Sequence, residues 1–183
     1  MIRVGLDAMG GDDAPRVEVE GALLAIRDLP ATFTVQLVGQ TAVLEAELSR
    51  YPDADRSRIE VVEAPEVVGM AEKPLAAIRK KPKSSIAVGL GLLAEGGLDA
   101  FVSAGNTGAM LAGSTLFLGL HDGVERASVA TLFPTADRPV LVLDGGANVD
   151  CSARELVNFA YLGSVYMRDV LKVANPTVGL LNV

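Results

Sequence analysis

Three short loops of small polar residues hold most of the side chains that could do chemistry. They cover residues 7–15, 103–109 and 144–150, and each follows an apolar run typical of a buried strand. Glycines in such loops let a ligand approach the backbone closely, and a following helix directs its unpaired N–H groups at the loop. In open α/β sheets, ligands bind beyond the carboxyl ends of the strands. The three loops therefore stand where a ligand site is expected.

The second loop reads Ser-Ala-Gly-Asn-Thr-Gly-Ala and is the best candidate for binding an anion. Asn106 or Thr107 opens a helix there, so several N–H groups, a hydroxyl and an amide are available, and the helix dipole favours negative charge. The loop has neither the lysine of a P-loop nor the glycine spacing of a dinucleotide-binding fingerprint. An alternative explains the same residues equally well: an N-cap on a helix of small packing residues.

The first and third loops are ambiguous on their own. In the first loop, Gly10 and Gly11 allow a ligand to approach the backbone closely. Three acids in the loop oppose the binding of bare phosphate unless a cation or a lysine offsets their charge. A tight turn in which Asp13 caps the next helix is the alternative. In the third loop, Asp144 and Asp150 could ligate a cation, orient a base or cap helices.

Predicted strands and helices alternate along the chain. The predicted strands cover residues 2–6, 32–38, 58–62, 100–102, 128–133, 140–143 and 177–181. The predicted helices cover residues 17–28, 42–50, 86–95, a stretch from Asn106 or Thr107 to 118, and 154–171, with another beginning near Pro74. This alternation predicts an α/β fold with a largely parallel sheet flanked by helices, in a single domain over residues 1–183. The short link at 134–139 predicts an antiparallel hairpin.

Composition and charge narrow the function classes. The formal net charge is −7, so the chain has no broad attraction to nucleic acid, and we expect no nucleic-acid partner. The single cysteine excludes an internal disulfide and suits a reducing cytosol. The longest apolar runs, near 86–94 and 109–120, are shorter than the ~20 residues of a membrane span. We therefore expect a cytoplasmic protein.

Six strings, in order along the chain, resemble the PlsX family of phosphate acyltransferases. They are Asp-Ala-Met-Gly-Gly-Asp at 7–12, an Arg/Lys cluster followed by Ser-Ser at 79–85, Ser-Ala-Gly-Asn-Thr-Gly-Ala at 103–109, Gly-Ala-Asn-Val-Asp at 146–150, Gly-Ser-Val-Tyr at 163–166 and Gly-Leu-Leu-Asn at 179–182. The resemblance spans the whole chain and is specific. One departure is Asp13, which stands where the family has a histidine, and an added carboxylate there would oppose anion binding.

The resemblance implies a fold similar to that of isocitrate and isopropylmalate dehydrogenases. This is a three-layer α/β sandwich with a mostly parallel sheet, here incomplete at the C-terminus. The resemblance also implies a reaction that moves a long-chain fatty acyl group from acyl carrier protein to inorganic phosphate, giving acyl phosphate for phospholipid synthesis. Phosphate is already an oxyanion nucleophile, so the site must mainly position it and stabilise the developing oxyanion. We expect no cofactor and no metal.

The resemblance also implies roles for individual residues. Those expected in catalytic roles are Asn106, Thr107, Asp144 and Asn148. Those expected to bind phosphate or substrate are Gly10, Gly11, Asp12, Arg79, Lys81, Ser103, Gly105 and Gly108. The helix N-terminus at 106–108 is expected to supply the oxyanion donors, while Asp12, Asp144 and Asn148 orient their neighbours. Arg79 and Lys81 would attract phosphate or the acidic carrier protein, with a solvated basic surface as the alternative.

Members of the family are longer than this chain. We therefore expect residues 1–183 to be the N-terminal part of an enzyme that is a homodimer at full length and touches the membrane peripherally through its C-terminal part. Two alternatives stay open: a phosphotransacetylase-like enzyme that uses acyl coenzyme A, and an inactive truncated fragment. A dehydrogenase of the related fold is disfavoured because the chain has no dinucleotide-binding fingerprint.

Overall fold

The structure is a computed structural model that describes residues 1–136, 138–148 and 150–181. The chain divides into two compact units, Met1–Gly119 and Leu120–Val183. Each unit has its own sheet. The expected organisation as a single domain stays a prediction.

The first unit is built on a four-stranded parallel sheet. Its elements are β1 (Ile2–Asp7), α1 (Arg16–Asp28), β2 (Phe33–Gly39), α2 (Thr41–Leu48), β3 (Ile59–Glu63), α3 (Pro74–Lys80), α4 (Ser85–Ala94), β4 (Ala100–Val102) and α5 (Thr107–Leu118). The strand order is β3-β2-β1-β4, and every neighbouring pair is parallel. Because the chain moves outward from β1 to β3 and then crosses to β4, the β1–β4 boundary is the switch point at which such sheets bind ligands.

Two apolar clusters cover the two faces of this sheet. One cluster joins α1 and α2 to alternate residues of β2 and includes Val19, Ile26, Val35, Leu37 and Leu44. The other joins α3, α4 and α5 and includes Ile78, Ile86, Leu90 and Ala109, with Phe101 of β4 packed against it. Because strand side chains alternate between faces, helices on both sides bury the sheet. The predicted α/β fold with a mostly parallel sheet is confirmed.

Polar side chains cap the starts of α4 and α5. Ser84 caps α4, and its hydroxyl accepts the N–H of Ala87. Asn106 caps α5 in the same way. The predicted cap of α1 by Asp13 is wrong: Pro15 holds the N-cap position, without a side-chain bond. Asp13 lies two residues before that position, and its carboxylate instead faces Arg16 at 3.7 Å.

The second unit contains an antiparallel hairpin and one long helix. β5 (Thr131–Phe133) pairs with β6 (Val140–Val142), which confirms the predicted hairpin, although β5 begins later than predicted. The helix α6 (Ala153–Asp169) begins at a capping box formed by Ser152 and Glu155. The predicted strand at 177–181 is wrong for the described residues, because no described strand pairs with it and a lone strand leaves its backbone unsatisfied.

No helix among the residues described is both long and apolar enough to cross a membrane. The longest, α6, has 17 residues and carries charged side chains in its first and last turns.

An ion pair between Arg3 and Asp99 joins the amino-terminal ends of β1 and β4, at the other end of these strands from the switch point. Asp99 directly precedes β4, and its carboxylate accepts bonds from the Arg3 backbone N–H at 2.8 Å and from the Arg3 guanidinium at 2.9 and 3.1 Å. The N–H of Asp99 in turn donates to the Arg3 carbonyl. Hydrogen bonding to Arg3 lowers the pKa of Asp99 from 3.8 to about 2. The pair helps to set the register of β4 on β1.

We predict that Asp99→Asn destabilises the chain at neutral pH and that this effect shrinks in acid. A depressed carboxyl pKa contributes stability that is complete above the unfolded pKa and disappears as the pH falls through the folded pKa. Urea unfolding of wild type and Asp99→Asn, measured from pH 6 down towards pH 2, checks this. Asp53→Asn is the control, because its carboxylate has no ion pair among the described residues. A difference in unfolding free energy between wild type and Asp99→Asn that stays constant from pH 6 to pH 2 would contradict the prediction.

Candidate functional site

The loops after β1 and β4 are joined by a buried carboxylate. Asp7 is fully buried at the end of β1. Its Oδ2 accepts the hydroxyl of Ser103 at 2.7 Å, and its Oδ1 accepts the N–H of Met9 at 3.2 Å. The Ser103 hydroxyl oxygen also accepts the N–H of Gly105 at 3.0 Å. A single chain of hydrogen bonds therefore runs from the first loop to the start of the second.

Two glycines let these loops touch. A Cβ built on Gly105 would lie 3.1 Å from Gly10 Cα and 3.2 Å from Asp7 Oδ2. A Cβ on Gly10 would lie 2.9 Å from the Gly105 nitrogen and would also collide with the Asp7 carboxylate. Neither position has room for a side chain. The predicted site residues Gly10, Ser103 and Gly105 are thus brought together at the switch point.

The side chain of Asn106 is fully engaged in holding the structure together. It is 6% exposed, and its Oδ1 accepts the N–H of Ala109 at 2.9 Å. Its Nδ2 lies 3.2 Å from the carbonyl oxygens of Gly69, Met70 and Glu72. One amide therefore both caps α5 and anchors the loop that leads into α3. The structure leaves no atom of this amide free to bind a substrate.

The free donors at the start of α5 belong to the backbone. The N–H groups of Thr107 and Gly108 have no acceptor among the described residues, as is usual for the first turn of a helix. Thr107 is exposed, and Gly108 is half-buried against the ring of Pro74. These two donors point out of the helix at its positive end. They are the part of the second loop best suited to an anion.

The basic residues proposed for phosphate binding have different environments. The Lys81 ammonium donates to the Val67 carbonyl at 2.7 Å and to Glu72 Oε1 at 2.5 Å. Glu72 Oε1 also accepts the Gly69 N–H, and these bonds, chiefly that from Lys81, lower the pKa of Glu72. Lys81 thus fixes the same loop that Asn106 anchors. Arg79 is exposed and has no ion pair in the described part of the chain.

The acids of the first loop are only partly compensated. Asp12 is exposed, whereas Asp13 lies 3.7 Å from the Arg16 guanidinium. Behind Gly11 lies the carboxylate of Glu18, which is buried and has one oxygen without a described partner. The sequence analysis missed Glu18, and the available signal was its place on the buried face of α1 beside Val19 and Ala22. Within the described ranges, no group of three His, Cys, Asp or Glu side chains is arranged to hold a metal ion.

Asp144 and Asn148 belong to the second unit, where they shape one loop. Asp144 Oδ1 accepts the Val129 N–H at 2.7 Å, and Oδ2 accepts the Asn148 N–H at 2.6 Å. The Asn148 amide donates to the Ala127 carbonyl at 2.9 Å. Both side chains hold backbone groups of residues 127–148 in place. Their expected catalytic roles stay predictions.

We predict that Asn106→Asp lowers the free energy of unfolding by about 2–4 kcal/mol. The substitution keeps the capping oxygen, which accepts the Ala109 N–H, but replaces the amide nitrogen by a second carboxylate oxygen. That oxygen is buried, carries negative charge and faces three carbonyl oxygens without a donor. Urea unfolding gives the free energy, and amide hydrogen exchange should speed up at residues 69–72. The matched control is Gln40→Glu, whose amide donates to only one carbonyl, in an exposed position. Equal stabilities of the two variants would contradict the assigned role of Asn106.

Comparisons with known proteins agree with the motif resemblance. The model of the fatty acid synthesis protein family matches residues 2–183. A phosphate acyltransferase of Salinibacter ruber is 48% identical over 181 residues, which are 99% of this chain and 54% of that protein. The phosphate acyltransferase of Citrifermentans bemidjiense is 49% identical over 181 residues, which are 51% of its length. The chain therefore spans about half the length of these curated relatives.

A solved structure shares the fold. The EutD phosphotransacetylase from Staphylococcus aureus matches with a TM-score of 0.64 at 18% sequence identity, over 91% of this chain and 52% of that chain. The expected α/β architecture is therefore found in a known structure. On the family match and the two relatives, the chain belongs to the fatty acid synthesis protein family, the phosphate acyltransferase family that its motifs resemble.

Proposed function

We propose that the whole protein transfers a long-chain fatty acyl group from acyl carrier protein to inorganic phosphate, giving acyl phosphate for phospholipid synthesis. The observation that carries the proposal is the start of α5 beside the β1–β4 switch point, where the Thr107 and Gly108 N–H groups have no acceptor in the part of the chain that the structure describes. Membership of the family supports the reaction class. The same resemblance leads us to propose a cytoplasmic homodimer at full length, with peripheral membrane contact.

Phosphate binding would rest on backbone amides rather than on a lysine. Two N–H groups and the positive end of α5 favour an anion at Thr107 and Gly108. The nearest buried acid, Asp7, accepts bonds from Ser103 and Met9, and Asp13 faces Arg16. These contacts offset part of the negative charge that the first loop contributes. The expected conflict between Asp13 and a bound anion is reduced accordingly.

The chemistry asks for positioning and charge stabilisation. A phosphate oxygen attacks the thioester carbonyl carbon, so a C–O bond forms while the C–S bond breaks. The proton of hydrogen phosphate passes to the departing thiolate, which leaves as a thiol. A thiol with a pKa near ~8.5 is a good leaving group, so a weak acid or a water molecule is enough to relay that proton. The carbonyl oxygen gains negative charge in the transition state, and N–H donors near α5 would stabilise it.

A second candidate donor is acyl coenzyme A. The observation behind this alternative is the fold shared with a protein named phosphotransacetylase. A shared fold does not by itself decide between the two donors. The phosphate side of the site would be the same for both donors. Only the surface that recognises the thioester carrier would differ.

We predict that the full-length protein forms acyl phosphate from long-chain acyl carrier protein and phosphate. Hydroxylamine traps acyl phosphate as a hydroxamate, and the free thiol of the carrier is measured in parallel. The amounts of hydroxamate and thiol should be equal, and both should increase with added phosphate. Running residues 1–183 alone beside the full-length protein shows whether this chain is active by itself. Thiol release without phosphate, or reduction of NAD with a hydroxyacid, would refute the proposed function.

We predict that Thr107→Pro raises the KM for phosphate about 10- to 100-fold, the effect of losing one hydrogen bond to a charged ligand. Proline at the first helical position removes an N–H that the helix does not use, and Asn106 has the extended backbone (φ −61°, ψ 105°) that a residue before proline needs. The midpoint of urea unfolding should therefore be the same for the variant and the wild type.

Thr107→Ala is the matched control for this substitution. It removes the hydroxyl but keeps the N–H, so the KM for phosphate should stay within about 3-fold of the wild-type value. An equal rise in the KM for phosphate in Thr107→Pro and Thr107→Ala would assign the effect to the hydroxyl and contradict backbone binding.

A further inference from the structure

The segment from Lys73 to Lys83 is the most basic stretch of an acidic chain. It carries five of the 16 lysines and arginines and no acid, whereas the chain as a whole has a net charge of −7. The structure separates these five residues by role. Lys81 is bonded to Glu72 and Val67. The other four, Lys73, Arg79, Lys80 and Lys83, are exposed and have no ion pair in the described part of the chain.

Three of these four cations line a shallow depression on α3. Its lining consists of Lys73, Pro74, Leu75, Ala76, Arg79 and Lys80, which we call the α3 basic face. Leu75 belongs to the lining and is 47% exposed. Lone exposed leucines are ordinary, but apolar side chains together with three cations that have no ion pair among the described residues suit a docking surface for an acidic protein. A site for a free phosphate would instead need donors that converge on one point.

The α3 basic face is continuous with the candidate phosphate site. The ring of Pro74 lies against Gly108, so that a Cβ on Gly108 would lie 2.5 Å from Pro74 Cγ. The loop that leads into Lys73 is anchored by the Asn106 amide at the carbonyls of Gly69, Met70 and Glu72. The residues that position the helix N-terminus therefore also position the basic face. A partner bound on α3 would hold its cargo beside the donors of α5.

We propose that the α3 basic face docks an acidic helical surface of the protein that carries the acyl thioester. This inference rests on the proposed function, because that function requires a protein-borne thioester to reach the switch point. The acidic residues of the partner pair with Lys73, Arg79 and Lys80, while an apolar side chain covers Leu75. Charge pairs at such a rim set the rate of association and its dependence on salt. Docking therefore governs the use of the carrier and leaves the chemical step unchanged.

The test is a charge reversal in the full-length protein. Lys73→Glu/Lys80→Glu should raise the KM for acyl carrier protein, and the Kd for the acyl-free carrier measured by titration calorimetry, at least 10-fold. The kcat, and the KM for a small acyl thioester such as acyl pantetheine, should change less than about 3-fold. The matched control is Arg27→Glu/Arg50→Glu, which makes the same change in net charge at side chains that are 69% and 63% exposed on α1 and beyond α2.

Each outcome bears on the proposal separately from the proposed function. If wild type makes acyl phosphate and the Lys73→Glu/Lys80→Glu variant keeps the wild-type KM for the carrier, docking on α3 is refuted and the function stands. If the KM for acyl coenzyme A rises as much as that for the carrier, the face recognises nucleotide phosphates, and the proposal is again refuted. If wild type binds anionic lipid vesicles and the Lys73→Glu/Lys80→Glu variant does not, while the affinity for the carrier is unchanged, the face binds a membrane and the proposal is refuted. Failure of wild type to make acyl phosphate refutes the function itself.

Discussion

The buried carboxylate of Asp7 is the constraint on which the candidate site depends. A carboxylate without solvent contact must be hydrogen-bonded, and its two donors are the Ser103 hydroxyl and the Met9 N–H. Because Ser103 follows β4, satisfying Asp7 ties the loop after β4 to the loop after β1. The close approach of Gly10 and Gly105 and the position at which α5 begins both follow from that tie. The ligand-binding geometry is therefore fixed by the burial of a charge rather than by contact with a ligand.

Side chains and backbone have separate tasks around α5. The Asn106 amide and the Lys81 ammonium both bond to the loop that precedes α3. The backbone N–H groups of Thr107 and Gly108, at the start of α5, have no acceptor among the described residues. Backbone donors held by a rigid helix need no reorganisation when charge develops, and this suits a reaction whose nucleophile is already an anion. The division also explains how a chain with a net charge of −7 offers an anion a favourable position.

Periodicity and turn residues were sufficient to predict the first unit. Short apolar runs marked all four parallel strands, and Asn106 or Thr107 marked the start of α5. Asn106 is the cap because its side-chain oxygen reaches the third helical N–H. The site was predictable only in part. Gly10, Ser103 and Gly105 were found from their loops, but the use of the Asn106 amide and of Lys81 depends on carbonyls more than ten residues away in sequence, at 67–72. The strand expected at 177–181 failed because a strand is defined by its partner, which local sequence does not specify.

The central claim is that an anion binds at the backbone amides of Thr107 and Gly108. A crystal structure of the full-length protein with phosphate bound is its most direct test. We expect phosphate oxygens within about 3.2 Å of both nitrogens, with the Asn106 amide still on its carbonyl partners. Phosphate held by Arg79 and Lys80 alone, with the amides of Thr107 and Gly108 left in solvent, would contradict the account.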